Sequence, residues 1–118
     1  MWLIDCMSNY NKEIGQVNYI FCSDEYLLNM NKEHLQHDYE TDIITFDYSE
    51  NNTVSGDLFI SLDRVIDNAK TLKLKRADEL HRVMIHGVLH LAGYKDKSPQ
   101  DQAEMRSQED YCLSLRTF

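Results

Sequence analysis

The stretch "ADELHRVMIHGVLHLAG", residues 77–93, is the longest helical signal in this sequence, and the arrangement of the other elements depends on it. At about 100° per residue, Leu80 and Val88 lie on one side of the helix and Leu89 lies on another. A helix that is apolar on two faces is expected to be buried in the middle of its domain. The sequence therefore predicts a central helix with the remaining elements packed around it.

The flanking segments have their own periodicities. Three segments rich in β-branched and aromatic residues predict strands: "QVNYIFC" (16–22), "DIITFDY" (42–48) and "DLFIS" (57–61). The turn signal "NNTVSG" (51–56) predicts that the last two form a hairpin. Four further segments predict helices: "WLIDCMSNYNK" (2–12), "EYLLNMNKEHL" (25–35), "LDRVIDNAKTLK" (62–73) and "AEMRSQEDYCLSL" (103–115).

Two of these helices carry start signals. Ser23 is placed as an N-cap, and Ser98 is followed by Pro99 at the first helical position. The element order becomes helix, strand, helix, strand, strand and three helices. This order favours an α+β fold, in which a small mixed β-sheet is covered by helices.

Length and composition set limits on the class of protein. The 118 residues suffice for a core, and we expect residues 1–118 to form a single domain. The formal net charge of −8 disfavours non-specific binding to nucleic acid. Because no apolar run nears the ~18 residues of a membrane span and no signal pattern is seen, we expect a cytoplasmic protein without a membrane partner. Three widely spaced cysteines agree with a reducing compartment.

One basic strip, "KTLKLKR" (70–76), departs from the acidic balance. Lys73, Lys75 and Arg76 are of the residue types that contact phosphates, so an RNA-facing role is one interpretation. A solvated helix end is the other, because cations are favourable near the C-terminal end of a helix dipole. The sequence leaves both interpretations open.

Two histidines lie four residues apart on the central helix. His86 and His90 fall on a narrow strip between its apolar faces, and residues at this spacing stack on one face of a helix. Two such imidazoles can both reach one metal ion at about 2.0–2.1 Å. A helical pair of this kind is also compatible with ordinary core histidines. Gly93, placed to end the helix and reverse the chain, favours the metal.

Asp96 is the predicted third ligand. It follows His86 by ten residues, the spacing of the third histidine in the metzincin pattern H-E-x-x-H-x-x-G-x-x-H. Two histidines and one carboxylate leave a coordination position open, as in catalytic zinc sites. Gly87 replaces the base Glu of that pattern, which argues against peptide hydrolysis and favours metal-assisted hydrolysis of another bond. The alternative for Asp96 is a surface acid in a "KDK" turn.

At "HGVLHLAGYKD" (86–96) the chain resembles the YbeY family of bacterial metal-dependent endoribonucleases, whose signature reads H-G-x-L-H-L-x-G-[YH]-D-H. Upstream segments resemble the family in the same order: "LLNMN" (27–31), "TDIITFDY" (41–48) and "SGDLFISLDRV" (55–65). The resemblance implies that His86, His90 and Asp96 hold one Zn²⁺. It also implies a nuclease that cleaves single-stranded RNA, acts at the 3′ end of small-subunit rRNA and serves ribosome quality control.

The chain departs from the family in several ways. Asp96 stands where the pattern has its last His, and the Arg that many members carry soon after L-N is missing. Lys32, His34 or His37 could supply a donor instead. The strand that precedes the first helix in family members is apparently absent, which would expose an edge of the sheet or of the covering helices. The missing Arg and the acidic charge keep a second function open: a non-catalytic, metal-containing ribosome-assembly factor.

Overall fold

The computed structural model describes residues 2–35 and 41–118. Its helices and strands follow one another in the predicted order. Within the described residues, the helices are α1 (Trp2–Ser8), α2 (Asp24–Leu35), α3 (Leu62–Leu72), α4 (Arg76–Leu91) and α5 (Pro99–Ser114). The strands of the same described ranges are β1 (Glu13–Cys22), β2 (Ile43–Asp47) and β3 (Thr53–Ser61).

The sheet is mixed, as predicted. Its strands have the order β1-β3-β2, with β1 parallel and β2 antiparallel to the central β3. Side chains of a strand alternate between the two faces, and in β3 Val54, Leu58 and Ile60 are buried on one face. Helix α4 packs against this face, which makes it the central helix of the α+β fold.

The hairpin between β2 and β3 is tighter than the turn signal indicated. Glu50 and Thr53 exchange two backbone hydrogen bonds, so only Asn51 and Asn52 form the loop, with Asn51 at φ 54°. Thr53 already begins β3, four residues before the predicted start. Asparagine tolerates the left-handed region, so these two residues suffice to reverse the chain.

The predicted caps are present in the two helices that carried start signals. The Ser23 hydroxyl accepts the Tyr26 N–H at 3.2 Å, and the Ser98 hydroxyl accepts the Asp101 N–H at 3.0 Å. The first helix is shorter than predicted, since α1 ends at Ser8 and Asn11 adopts φ 57° before β1. The indole N–H of Trp2 donates to the Cys112 carbonyl at 2.7 Å and ties α1 to α5.

The core lies between the sheet and helix α4 and extends to α1 and α5. Its fully buried members include Leu58, Ile85, Val88, Leu89, Met105 and Cys112. Cys6, Cys22 and Cys112 are free thiols, in agreement with the sequence prediction. None of the described helices is long and apolar enough to cross a membrane.

Candidate metal centre

Helix α4 presents its two histidines to one point. His86 and His90 lie one turn apart, and their Nε2 atoms are 3.1 Å from each other. Both side chains are partly exposed, whereas the neighbouring Ile85 and Leu89 are fully buried. The apolar faces of the helix thus fix its rotation in the core, and this rotation directs the histidine strip towards the surface.

The end of α4 brings the third predicted residue back to this strip. Gly93 has φ 109°; its N–H donates to the His90 carbonyl and the Tyr94 N–H donates to the Leu89 carbonyl, each at 3.0 Å. This pair of bonds is a Schellman motif, which ends a helix and reverses the chain. As a result, Asp96 Oδ2 lies 3.3 Å from the Nε2 atoms of both His86 and His90.

The three candidate ligand atoms fit the dimensions of one metal ion. They lie 3.1–3.3 Å apart, and ligands about 2.0–2.1 Å from a tetrahedral zinc ion are separated by roughly 3.3 Å. Within residues 2–35 and 41–118, the histidine, cysteine, aspartate and glutamate side chains form one group that could hold a metal ion: His86, His90 and Asp96. The structure therefore places Asp96 with the histidines, rather than as an isolated acid in a surface turn.

Sequence reasoning missed one side chain of this site. Glu109 Oε2, on α5, lies 2.6 Å from His86 Nδ1, and its Oε1 accepts a hydrogen bond of 3.0 Å from Arg82. A signal existed in the spacing of Met105, Glu109 and Cys112, because it places an acid on the buried face of α5. A buried carboxylate needs polar partners, and this one has two.

The contact changes the proton affinity of both groups. Burial alone would lower the pKa of His86, but the hydrogen bond and the charge of Glu109 outweigh it and raise that pKa. Burial alone would raise the pKa of Glu109, but the hydrogen bonds from His86 and Arg82 outweigh it and lower that pKa. Both shifts favour the charged forms of the pair.

A cavity of about 410 Å³ adjoins the histidine strip. Its polar wall includes Asp42, Glu79, Arg82, His86, Asp96 and Glu109. Burial raises the pKa of Asp42 and of Glu79, and in each case a nearby carboxylate adds to the effect. Glu79, 5 % exposed, has one carboxyl oxygen that no hydrogen-bond donor of the described chain reaches.

Because the carboxyl group of Glu79 is buried, we expect replacing it to change the stability of the chain by an amount that depends on pH. Because burial and the charge of Asp42 raise its pKa, the folded chain binds this proton up to a higher pH than the unfolded chain. Its contribution to stability therefore falls as pH rises above the ordinary glutamate pKa of about 4.3. We expect Glu79→Gln to stabilise the metal-free chain by about 1 kcal/mol at neutral pH, and by less at pH 4.

Thermal unfolding with a chelator present, at both pH values, measures this difference. Glu104→Gln, which neutralises an exposed acid on α5, is the control and should shift the melting temperature little at either pH. A Glu79→Gln chain that is destabilised equally at both pH values contradicts the prediction.

The basic strip lies apart from the cavity. Lys73 ends α3 in the left-handed region, Lys75 is the N-cap residue of α4, and both are exposed, as is Arg76. None of the three lines the cavity beside His86. Of the proposed substitutes for the missing Arg, Lys32 is exposed on α2, whereas the side chain of His34 and residue His37 lie outside the described part of the chain.

Fold and site together define a class of protein: a small α+β protein whose central helix carries an H-x₃-H pair over a mixed sheet. The sequence profile of one family, Endoribonuclease YbeY, matches residues 2–116. The chain belongs to this family, as the signature predicted. It is therefore an enzyme of the endoribonuclease class. The predicted α+β fold is confirmed by the mixed sheet and the helices that cover it.

Relatives and one solved structure agree with this assignment. Proteins named endoribonuclease YbeY are 56% identical in Porphyromonas gingivalis, over 97% of this chain and 76% of the relative, and 55% identical in Cytophaga hutchinsonii, over 99% and 82%. The solution structure of TM1509 from Thermotoga maritima superposes with a TM-score of 0.71 at 27% identity. It covers 97% of this chain and 75% of that one.

Proposed function

We propose that this chain is a zinc-dependent endoribonuclease for single-stranded RNA. We propose further that it acts in rRNA maturation, at the 3′ end of the small-subunit rRNA, and in ribosome quality control. The observation that carries the proposal is the convergence of three ligand atoms within 3.3 Å in a chain of the endoribonuclease YbeY family. Such an enzyme would work in the cytoplasm, with the ribosome or its small subunit as partner.

His86, His90 and Asp96 would hold one Zn²⁺ through Nε2, Nε2 and Oδ2. A metal in such a site supplies a Lewis acid that lowers the pKa of water and polarises a phosphoryl oxygen. The side chains contribute the shape of the site. Three protein ligands leave room for a further group, and the adjoining cavity of about 410 Å³ gives RNA access to it.

The third ligand affects the charge of the site. Asp96 brings one negative charge where the family pattern has a neutral imidazole. Carboxylate oxygens suit zinc and also harder ions such as Mn²⁺. Zinc remains the proposed metal because two of the three ligands are imidazoles.

Metal content and RNA cleavage, measured on one preparation, test the proposed function. We expect about one zinc per chain and cleavage of a single-stranded but not a duplex RNA. Chelation should remove the zinc and abolish the cleavage, and adding zinc should restore the cleavage. Cleavage that survives complete removal of metal would overturn zinc dependence. Stoichiometric metal without any RNA cleavage would support the assembly-factor function instead.

The basic strip is proposed as a secondary RNA contact. Lys73, Lys75 and Arg76 are exposed at the turn between α3 and α4, where phosphates can approach them. We expect the double variant Lys73→Ala, Lys75→Ala to weaken RNA binding and to reduce the slope of log affinity against log salt by about 2. RNA titrations at several salt concentrations measure it, and an unchanged slope would exclude these lysines as phosphate contacts.

A further inference from the structure

Helix α5 reaches the histidine strip through one carboxylate. Glu109 is 23 residues away from His86 in sequence, and its side chain is 6 % exposed where it meets the imidazole at 2.6 Å. An ionised carboxylate only accepts hydrogen bonds, so the Nδ1 atom of His86 must carry the proton of this contact. In the neutral imidazole the Nε2 atom is then free of hydrogen and can bind a metal.

The carboxylate is itself held in place. Arg82, one turn before His86 on α4, donates to Glu109 Oε1 at 3.0 Å and to Asp110 Oδ1 at 2.7 Å. Met105 and Cys112, on the same face of α5, are buried in the core. Glu109 therefore approaches the imidazole from a direction that core packing and one guanidinium group determine together.

The two histidines differ in this respect. The contacts that the structure gives to His90 are with His86 Nε2 and Asp96, both on the side where the three ligand atoms converge. No carboxylate of the described residues holds its other ring nitrogen as Glu109 holds Nδ1 of His86. Among the described residues, His86 is therefore the histidine of the pair whose second ring nitrogen is held by a carboxylate.

From this geometry we propose that Glu109 is a positioning residue for the metal centre: it fixes the tautomer and the ring orientation of His86 and is itself clamped by Arg82. The inference rests on the proposed metal site and deepens it. It makes the last helix, which supplies no ligand of its own, a determinant of metal affinity. Carboxylate partners of metal-binding histidines typically contribute 10–100-fold in affinity.

Two variants of Glu109 separate positioning from folding. Glu109→Gln keeps the shape but removes the charge. The oxygen of its amide can accept a hydrogen bond from His86 or from Arg82, but its NH₂ group is a donor and cannot accept from the other. Glu109→Asp keeps the charge but withdraws the carboxylate from the 2.6 Å contact. Glu104→Gln is the matched control, because it neutralises an exposed acid on the same helix that does not contact His86.

The test measures zinc affinity by competition with a chromophoric chelator and records the absorption spectrum of the cobalt-substituted chain. We expect both Glu109 variants to bind zinc about 10–100-fold more weakly than the wild type and to change the cobalt spectrum. Glu104→Gln should match the wild type in both. Melting temperatures of the metal-free chains show whether a variant has lost its fold, and the comparison rests on whichever of the two Glu109 variants is folded.

Unchanged zinc affinity and cobalt spectrum in a folded Glu109 variant overturn the positioning role and leave the proposed function intact. A wild-type chain that binds no zinc or cobalt overturns the metal site and the positioning role together. The two failures are therefore distinguishable.

Discussion

Replacing His90 with alanine is expected to abolish stoichiometric zinc binding and to lower single-stranded RNA cleavage by at least about 1000-fold. The site would keep only Nε2 of His86 and Oδ2 of Asp96, and two protein ligands hold zinc weakly. A bound metal contributes several kcal/mol to catalysis, and about 1.4 kcal/mol corresponds to each tenfold change in rate. Metal analysis and initial cleavage rates on the same purified chain measure both effects.

His81→Gln is the matched control for this substitution. His81 lies on the same helix but accepts a hydrogen bond from Arg116 and contacts the rings of Trp2 and Phe118, away from the cavity. Glutamine can still accept that hydrogen bond, so we expect wild-type zinc content and wild-type cleavage. Equal cleavage by His90→Ala and the wild type would point to a contaminating nuclease and contradict the proposed role of His90.

Replacing Gly87 with glutamate is expected to prevent folding or to destabilise the chain by more than about 4 kcal/mol. This change introduces at residue 87 the glutamate that follows the first histidine in the metzincin pattern. A Cβ atom at residue 87 would lie 2.7 Å from Ile43 Cδ1 and 3.1 Å from Leu58 Cδ2, between α4 and the sheet. A carboxylate there is buried among apolar groups with no partner, which is one of the most costly changes in a core.

Gly87→Ala separates the effect of charge from that of size. Its single methyl group meets the flexible end of Ile43, and alanine gains about 1 kcal/mol of helix propensity over glycine. We expect the alanine variant to fold with a modest change in stability, while the glutamate variant unfolds at a far lower urea concentration. A glutamate variant with the wild-type urea midpoint would contradict the burial of this position.

The packing around residue 87 argues against a peptidase base at this position. A Cβ atom at residue 87 would point into the contact between α4 and the sheet, whereas the cavity lies beside His86. A small residue at position 87 allows α4 to lie close to Leu58. The absence of a base at this position is therefore a consequence of how the helix packs.

Local signals account for much of what was predicted correctly. Residues four apart on a helix necessarily stack, so His86 and His90 could be paired from their spacing alone. Gly93 could be assigned to the helix end because only a residue tolerant of positive φ reverses the chain there. Stacking and helix termination both depend on interactions within a few residues, and so the sequence determined the histidine helix and the turn that follows it.

Tertiary structure alone decided what surrounds the two histidines and Asp96. Glu109 meets His86 only because α5 packs on α4, and Asp42 and Glu79 share the cavity only because β2 and α4 are neighbours in the fold. Periodicity could have placed Glu109 on the buried face of α5, but it carries no information about which residue Glu109 would face. The strand order and the partners of buried charges arise from contacts between distant segments, and the free energy of these contacts depends on the packing of the whole core.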